Sequence, residues 1–369
     1  TCVFEDFKKW ASFDLKEIDD VVVGCANQAG EDNRNVARMG VLLAGLPFEV
    51  PAATVNRLCG SSLEAIADAY AKIEAKMADC ILVGGVESMS RGPYVLSKAE
   101  SEFDRGQKMY DSSFGWRFQN SKMAALFPLM SMGETAEEVA TLHNISREDQ
   151  DRFALNSHQK AAAAYQRNLF QDEIISVKVQ KGKESFMITR DECVREDTSF
   201  EKLQKLKPVF KATGTVTAGN SSPMNDGASG VLVVSEKFLK RHNLKPLLKI
   251  IGAASRGLHP NVMGLGPVAA TQTLCQRYAL NLGQFDVVEL NEAFAAQSLA
   301  CMRELKLDSE KVNMRGGAIA LGHPLGCSGA RLVTTLAHIM KQEAKLKRGL
   351  ASMCIGVGQG ISLAVENCS

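Results

Sequence analysis

A cysteine placed where an extended run meets a helix is the first residue in this chain suited to covalent chemistry. The stretch from Glu49 to Leu58 reads as an extended approach. Ser62 to Lys76 carries apolar residues at helical spacing, and Cys59, Gly60 and Ser61 form the turn between. A thiol so placed faces the free backbone N–H groups of a helix N-terminus. Those donors and the helix dipole favour the thiolate, the nucleophilic form of cysteine. A solitary cysteine more often packs as a small hydrophobe, so the meaning of Cys59 depends on its company.

Four other segments are too specialised for ordinary core. Gly316 to Gly329 holds His323 between Gly322 and Pro324; the proline biases His323 towards an extended backbone and the glycines permit close approach of a ligand. Ser352 to Gly360 sets Cys354 at a strand end before glycines, where open α/β sheets hold their ligands. Glu289 to Phe294 puts polar side chains at a strand-to-helix turn, with Asn291 either a functional amide or an N-cap of the next helix. Gly214 to Gly227 is a polar, glycine-rich loop.

The elements that must position these groups alternate. Residues 19–23 read as a strand and 34–44 as a helix, with Gly45 as its C-cap and Pro47 preventing continuation. Residues 81–83 read as a buried strand ending in Gly84-Gly85. This rhythm predicts an α/β layer with a largely parallel sheet. From Met89 to about Asn225 the pattern is irregular and more polar, with one clear helix around 147–167, and reads as an inserted loop-rich domain forming one wall of a substrate site. From Leu247 the rhythm returns, with a strand at 285–290, helices at 291–305 and 330–341, and a strand at 350–355. Each half has a small-residue turn opening a helix (Cys59 to Ser62, Gly326 to Gly329) and a strand running into glycines, which points to a duplicated unit. The expected divisions are 1–88 with 226–246, the insertion 89–225, and 247–369.

Composition narrows the classes. Lysine and arginine (43) nearly balance aspartate and glutamate (42), so charge gives no argument for nucleic acid or a membrane surface. No apolar stretch approaches the roughly 20 residues of a spanning helix, and the first ten residues lack a signal-peptide pattern. Ten cysteines are scattered without a CxxC pair or zinc-ligand spacing, which predicts free thiols in a reducing, cytoplasmic setting.

Together these segments resemble the thiolase family, from about Phe13 to Glu366, most specifically at Asn56-Arg-Leu-Cys-Gly-Ser61, Asn291-Glu-Ala-Phe294, Gly322-His-Pro324 and Cys354-Ile-Gly356. The resemblance implies duplicated α/β/α/β/α layers with an inserted loop domain, assembly as a homodimer or homotetramer, and acyl transfer between a 3-ketoacyl-CoA and CoA. It implies that Cys59 carries the acyl group and that His323 activates it and helps bind the thioester oxygen. Cys354 is implied to exchange the acetyl α-proton, and Asn291 to hold a water at one oxyanion site. The N–H groups of Cys59 and Gly356 make the other oxyanion site, and Ser222 and Arg195 lie near the pantetheine and adenine ends of CoA. No metal or redox cofactor is implied; CoA is a co-substrate. The chemistry fits these residue types: a thiol exchanges one thioester for another without losing activation, and removing a weakly acidic α-proton needs a base beside preorganised donors.

Some segments depart from the family pattern. Relatives open with a strand and a full helix before the region matching Phe13; here only residues 4–11 stand in for that helix. The expectation is of an incomplete N-terminus lacking a central strand, and of a compartment signal lost with it. Met314-Arg315 replaces a frequent Pro-Asn and is expected to perturb the loop leading to His323. Ser131-Met132 replaces the His-Met of acetoacetyl-specific relatives. The stretch from Gly106 to Phe118 is similar to degradative thiolases, including those acting on 3-oxoadipyl-CoA. A decarboxylating ketoacyl synthase is disfavoured because Cys354 stands where a second histidine is typical. A non-catalytic CoA- or lipid-binding relative is disfavoured because all four catalytic groups are present.

Overall fold

In the computed structural model, which describes residues 1–368, the chain begins as helix α1 (Cys2–Trp10), strand β1 (Asp20–Gly24), helix α2 (Val36–Leu43), strand β2 (Ala52–Val55), helix α3 (Ser61–Glu74) and strand β3 (Cys80–Glu87). The Asn35 side chain caps α2 by accepting the Arg38 N–H, and Gly45, at φ 66°, takes the left-handed position past its end. β1 pairs in parallel with both β2 and β3, as helical crossovers require. β3 does not stop at Gly84-Gly85 but runs through them to Glu87. The glycines answer to close approach: a Cβ on Gly85 would lie 2.6 Å from the Gly326 carbonyl oxygen.

A long excursion follows: the ribbon β4 (Tyr94–Leu96) and β5 (Met109–Asp111), helices α4 (Ser121–Leu126), α5 (Met132–Leu142) and α6 (Arg147–Gln166), a second ribbon β6 (Val177–Lys181) and β7 (Glu184–Ile188), and α7 (Phe200–Gln204). The chain returns as β8 (Gly227–Val234), antiparallel to β3, completing a sheet in the order β2-β1-β3-β8, and leaves through α8 (Glu236–Arg241).

The rest of the chain forms β9 (Leu248–Gly257), α9 (Gly266–Arg277), β10 (Val287–Leu290), α10 (Ala295–Leu305), the short α11 (Ala318–Leu321), α12 (Ser328–Gln342), β11 (Arg348–Ile355) and β12 (Gln359–Asn367). Its sheet runs β10-β11-β12-β9, and Val312 bridges Val288 in parallel on the far side of β10. The two sheets correspond: β1, β3 and β8 occupy the places of β10, β11 and β12, and β2 that of the Val312 segment. β9, antiparallel to β12, therefore marks a place beside β8, at the margin of the first sheet. This corrects the expectation that a strand before Phe13 is central to the sheet.

Strand residues alternate between two cores, as period-two geometry dictates. Val22, Ile81 and Val83 point inward to a cluster with Leu63, Ile66, Leu332, Leu336, Met353 and Leu363, whereas Val21, Val23 and Leu82 point outward to Phe4 and Phe7 of α1 and Val41 of α2. α9 and α10 cover the outer face of the second sheet through Leu274 and Cys301. The result is five layers, α/β/α/β/α, with α3 and α12 in the middle. These two helices touch at their first turns: a Cβ on Gly329 would lie 2.3 Å from the Leu63 backbone nitrogen, and the Ala330 N–H donates to Ser62 Oγ at 2.8 Å. Gly329→Ala overpacks this crossing. It is expected to destabilise the fold by about 1–3 kcal/mol, read as a lower urea midpoint with unchanged m-value.

Candidate active site

The turn that carries Cys59 is held by its own sequence. Leu58 adopts a left-handed φ of 48°, a conformation that needs support in a residue with a bulky side chain. Asn56 Oδ1 accepts the Leu58 N–H at 2.8 Å, Asn56 Nδ2 donates to the Ala26 carbonyl at 2.9 Å, and the Ser61 hydroxyl donates to the Leu58 carbonyl. The next residue, Cys59, receives two backbone donors on its sulfur, the N–H of Gly356 and its own. Gly356 opens the turn between β11 and β12, which Val357 and Gly358 complete at φ 64° and 81°. Burial nevertheless pushes the Cys59 thiol up to about 11, against those two hydrogen bonds. The donors at the helix end favour the thiolate as expected, but loss of water outweighs them, so the thiol needs a base to take its proton.

That base is available in the site. His323 lies on the loop between α11 and α12, after Gly322 at φ 102°. Burial first, and then the Arg331 charge, push its pKa down to about 3, so the imidazole is neutral. Its Nδ1 is 2.6 Å from Ser328 Oγ. With Nδ1–H donating to that oxygen, Nε2 carries the lone pair that can accept a proton. Asn291 Nδ2 lies 3.4 Å from both ring nitrogens. Asn291 is not an N-cap: α10 begins only at Ala295 after Phe294, and the Asn291 N–H donates to the Ser352 carbonyl at 2.9 Å. Its Oδ1 is buried without a protein hydrogen-bond partner. Cys354, two residues past Ser352 on β11, is held well above the ordinary thiol range by burial and then by Cys59 beside it. Two thiols, an imidazole, an amide and two N–H donors thus line adjoining elements.

Sequence reasoning passed over the groups that fix this arrangement. Glu87, 1% exposed at the end of β3, accepts the N–H groups of Ala26 (2.9 Å), Asn27 (2.9 Å) and Gly326 (2.8 Å), fastening the His323 loop to the first half. An acid ending an otherwise apolar strand was the available signal. Glu292 accepts from Ser157 (2.7 Å), Asn313 (2.8 Å) and Ile319 (3.1 Å), locking the loop that carries Asn291. Arg315 does not disturb its loop as expected; it is buried and donates to the Leu169 carbonyl and Gln342 Oε1, both at 2.7 Å. Ser222 is bound to the same loop, its N–H and hydroxyl donating to the Ala293 carbonyl at 3.0 and 3.1 Å. Arg195 stands elsewhere, lining a surface cavity with His158, Gln166 and Thr198, and its N–H donates to His158 Nδ1 at 3.2 Å.

Comparison with known proteins gives the same assignment. Residues 3–237 match the family model described as Thiolase, N-terminal domain, and residues 244–367 match Thiolase, C-terminal domain. A beta-ketoadipyl-CoA thiolase of Acinetobacter baylyi is 54% identical over 96% of this chain and 89% of that protein. A protein of Escherichia coli described as 3-oxoadipyl-CoA/3-oxo-5,6-dehydrosuberyl-CoA thiolase is 51% identical over 96% and 88%. The crystal structure of human mitochondrial 3-ketoacyl-CoA thiolase superposes with a TM-score of 0.91 at 39% identity, over 99% of this chain and 91% of that one. The chain belongs to the thiolase family and is an acyltransferase that uses CoA and acyl-CoA.

Two outcomes follow from the geometry. Alkylation of Cys59 by iodoacetamide, followed by peptide mass spectrometry, is expected to accelerate about tenfold per pH unit from 7 to 10 without a plateau, because the thiolate fraction rises towards the raised pKa. Glu87→Gln turns an amide N–H₂ towards backbone donors. It is expected to destabilise the fold by about 1–3 kcal/mol and to lower kcat more than it changes KM, measured by thiolysis kinetics and thermal melting.

Proposed function

We propose that the protein is a degradative thiolase that cleaves 3-oxoacyl-CoA esters whose acyl chain ends in a carboxylate, with 3-oxoadipyl-CoA as the reference substrate. The observation that carries the catalytic part is the placement of Cys59 beside both Cys354 and the Gly356 N–H. The dicarboxylic substrate is supported by the printed activities of relatives more than 50% identical.

In this reading His323 Nε2 takes the Cys59 proton as the sulfur attacks the 3-keto carbon. The C2–C3 bond breaks, the acyl group stays on Cys59 as a thioester, and the departing acetyl-CoA enolate takes a proton from Cys354. CoA then attacks the acyl-enzyme, Cys354 accepts its thiol proton, and Cys59 leaves and regains its own proton from His323. The N–H groups of Cys59 and Gly356 stabilise one developing oxyanion. His323 and a water on Asn291 stabilise the other, a role consistent with the buried, unpartnered Oδ1 of Asn291. Thioester exchange needs no metal or redox group. Ser222 is assigned to the pantetheine and Arg195 to the adenine nucleotide of CoA.

The working form is proposed as a homodimer or homotetramer. The outer edge of β2 has no strand partner among the described residues, and Leu43 and Phe48 beside it are exposed. A reducing cytoplasm suits ten unpaired cysteines. Cys59→Ala is expected to lower CoA-dependent cleavage of 3-oxoadipyl-CoA by on the order of 10⁴-fold or more, and Cys354→Ala by about 10²–10⁴-fold. Denaturing mass spectrometry of the wild type quenched without CoA is expected to show one succinyl adduct on the Cys59 peptide. An adduct on another residue overturns the assignment of the nucleophile.

A further inference from the structure

The substrate reading raises a question that the catalytic cluster does not answer: what receives the terminal carboxylate. The acyl group left on the nucleophile after cleavage of a 3-oxoadipyl chain is succinyl, so its carboxylate lies only two methylenes beyond the reacting carbonyl. Its partner is therefore to be sought on the wall of the acyl site, not at the distant CoA end, and a guanidinium is the side chain best fitted to bind a carboxylate. Arg348 also lacks a carboxylate partner, donating to Gln284 Oε1 at 2.7 Å, but it starts β11 at the end opposite Cys354. Other half-buried arginines are committed. Arg57 is paired with Glu64, Arg147 with Asp151 and Arg331 with Glu289, while Arg38 is spent on the Val50 and Phe48 carbonyls.

Arg117 differs. It is half-buried, no carboxylate lies within ion-pair distance of it among the described residues, and its guanidinium donates only to neutral oxygens. These are the Ser112 carbonyl at 3.1 Å and Asn27 Oδ1 at 3.2 Å. Two of its five N–H donors are thereby used to aim the group, and the remainder are free for a carboxylate. Its neighbours fix it on both sides. Trp116 Nε1 donates to the Met130 carbonyl at 2.9 Å, and the Phe118 ring meets Tyr110 edge-on at 5.3 Å.

The segment carrying Arg117 is tied to the reacting groups at both ends. Through Asn27 it joins the backbone that Glu87 and Asn56 fasten to the nucleophile turn. Through Met130 it runs into Met132, which packs in one cluster with Cys354 and Phe294 and lies 3.5 Å from where a Cβ on Gly356 would stand. We infer that Arg117 is the specificity-determining residue of the acyl site, binding the terminal carboxylate of a dicarboxylic 3-oxoacyl-CoA; this rests on the thiolase reading of the same site.

The test compares 3-oxoadipyl-CoA with 3-oxohexanoyl-CoA, which has the same six-carbon length but a methyl end, in the wild type, Arg117→Gln and Arg117→Lys. The wild type is expected to favour the dicarboxylic substrate in kcat/KM. Arg117→Gln is expected to lose at least tenfold on 3-oxoadipyl-CoA, chiefly in KM, and less than threefold on 3-oxohexanoyl-CoA, with Arg117→Lys recovering part of the loss. Activity on the methyl-ended substrate reports that the variant is folded. Equal losses on both substrates in both variants mean that Arg117 only braces Ser112 and Asn27, and overturn the inference; so does an unchanged preference in Arg117→Gln. A wild type that cleaves both substrates alike overturns the dicarboxylic reading itself, whereas no cleavage of either substrate overturns the thiolase reading.

Discussion

The contact between the first turns of α3 and α12 is the constraint on which the rest of the molecule depends. Both helices lie between two sheets and give Leu63, Ile66, Leu332 and Leu336 to the core that the sheets share. They cross where Gly329 meets the backbone of Leu63 and where Ser62 caps the Ala330 N–H. Cys59 stands two residues before one of these helices, and His323 lies on the loop that leads into the other. Bringing the two N-termini together brings a thiol from one half to an imidazole from the other. A side chain at position 329 separates the helices and with them the two loops.

Burial serves the chemistry as well as the fold. The enclosure that stabilises the double-layered core also removes water from Cys59, Cys354 and His323, and it moves all three towards their neutral forms. The resting site is therefore uncharged, with two thiols and an imidazole ready to exchange protons. Charge develops only when a substrate carbonyl is present to receive it, against N–H groups already in place. Glu87 and Glu292, each ringed by donors, hold the loops from outside this uncharged region.

Much of this was legible in the chain where a local signal and the tertiary need coincide. The Asn35 and Gly45 ends of α2, the long α6 and the alternation in β1 follow from propensity, capping and period. The four motifs stand out in the sequence because each needs a particular backbone, such as Leu58 before Cys59 and Gly322 before His323. What misled was burial, which sequence does not display. Gly84 and Gly85 read as a strand end, yet they continue β3 because Gly326 presses against them. The helix read from Asn291 starts four residues later, at Ala295. Cys59 looked activated by a helix end, and desolvation reverses that. Arg315 looked disruptive because its acceptors, the Leu169 carbonyl and Gln342, are distant in sequence.

The sharing of the site between duplicated halves has a consequence for the chain as it leaves the ribosome. Cys59 and Glu87 are made early, whereas His323, Cys354 and the Gly356 N–H belong to the last stretch synthesised. Until β11 and β12 are in place, Cys59 lacks both the enclosure that keeps it a quiescent thiol and the donor from Gly356. For most of its synthesis it is an ordinary exposed sulfhydryl, open to oxidants and electrophiles. The sulfur proposed to react is thus most vulnerable before it has any function, and completion of the final hairpin both encloses it and brings it the Gly356 donor.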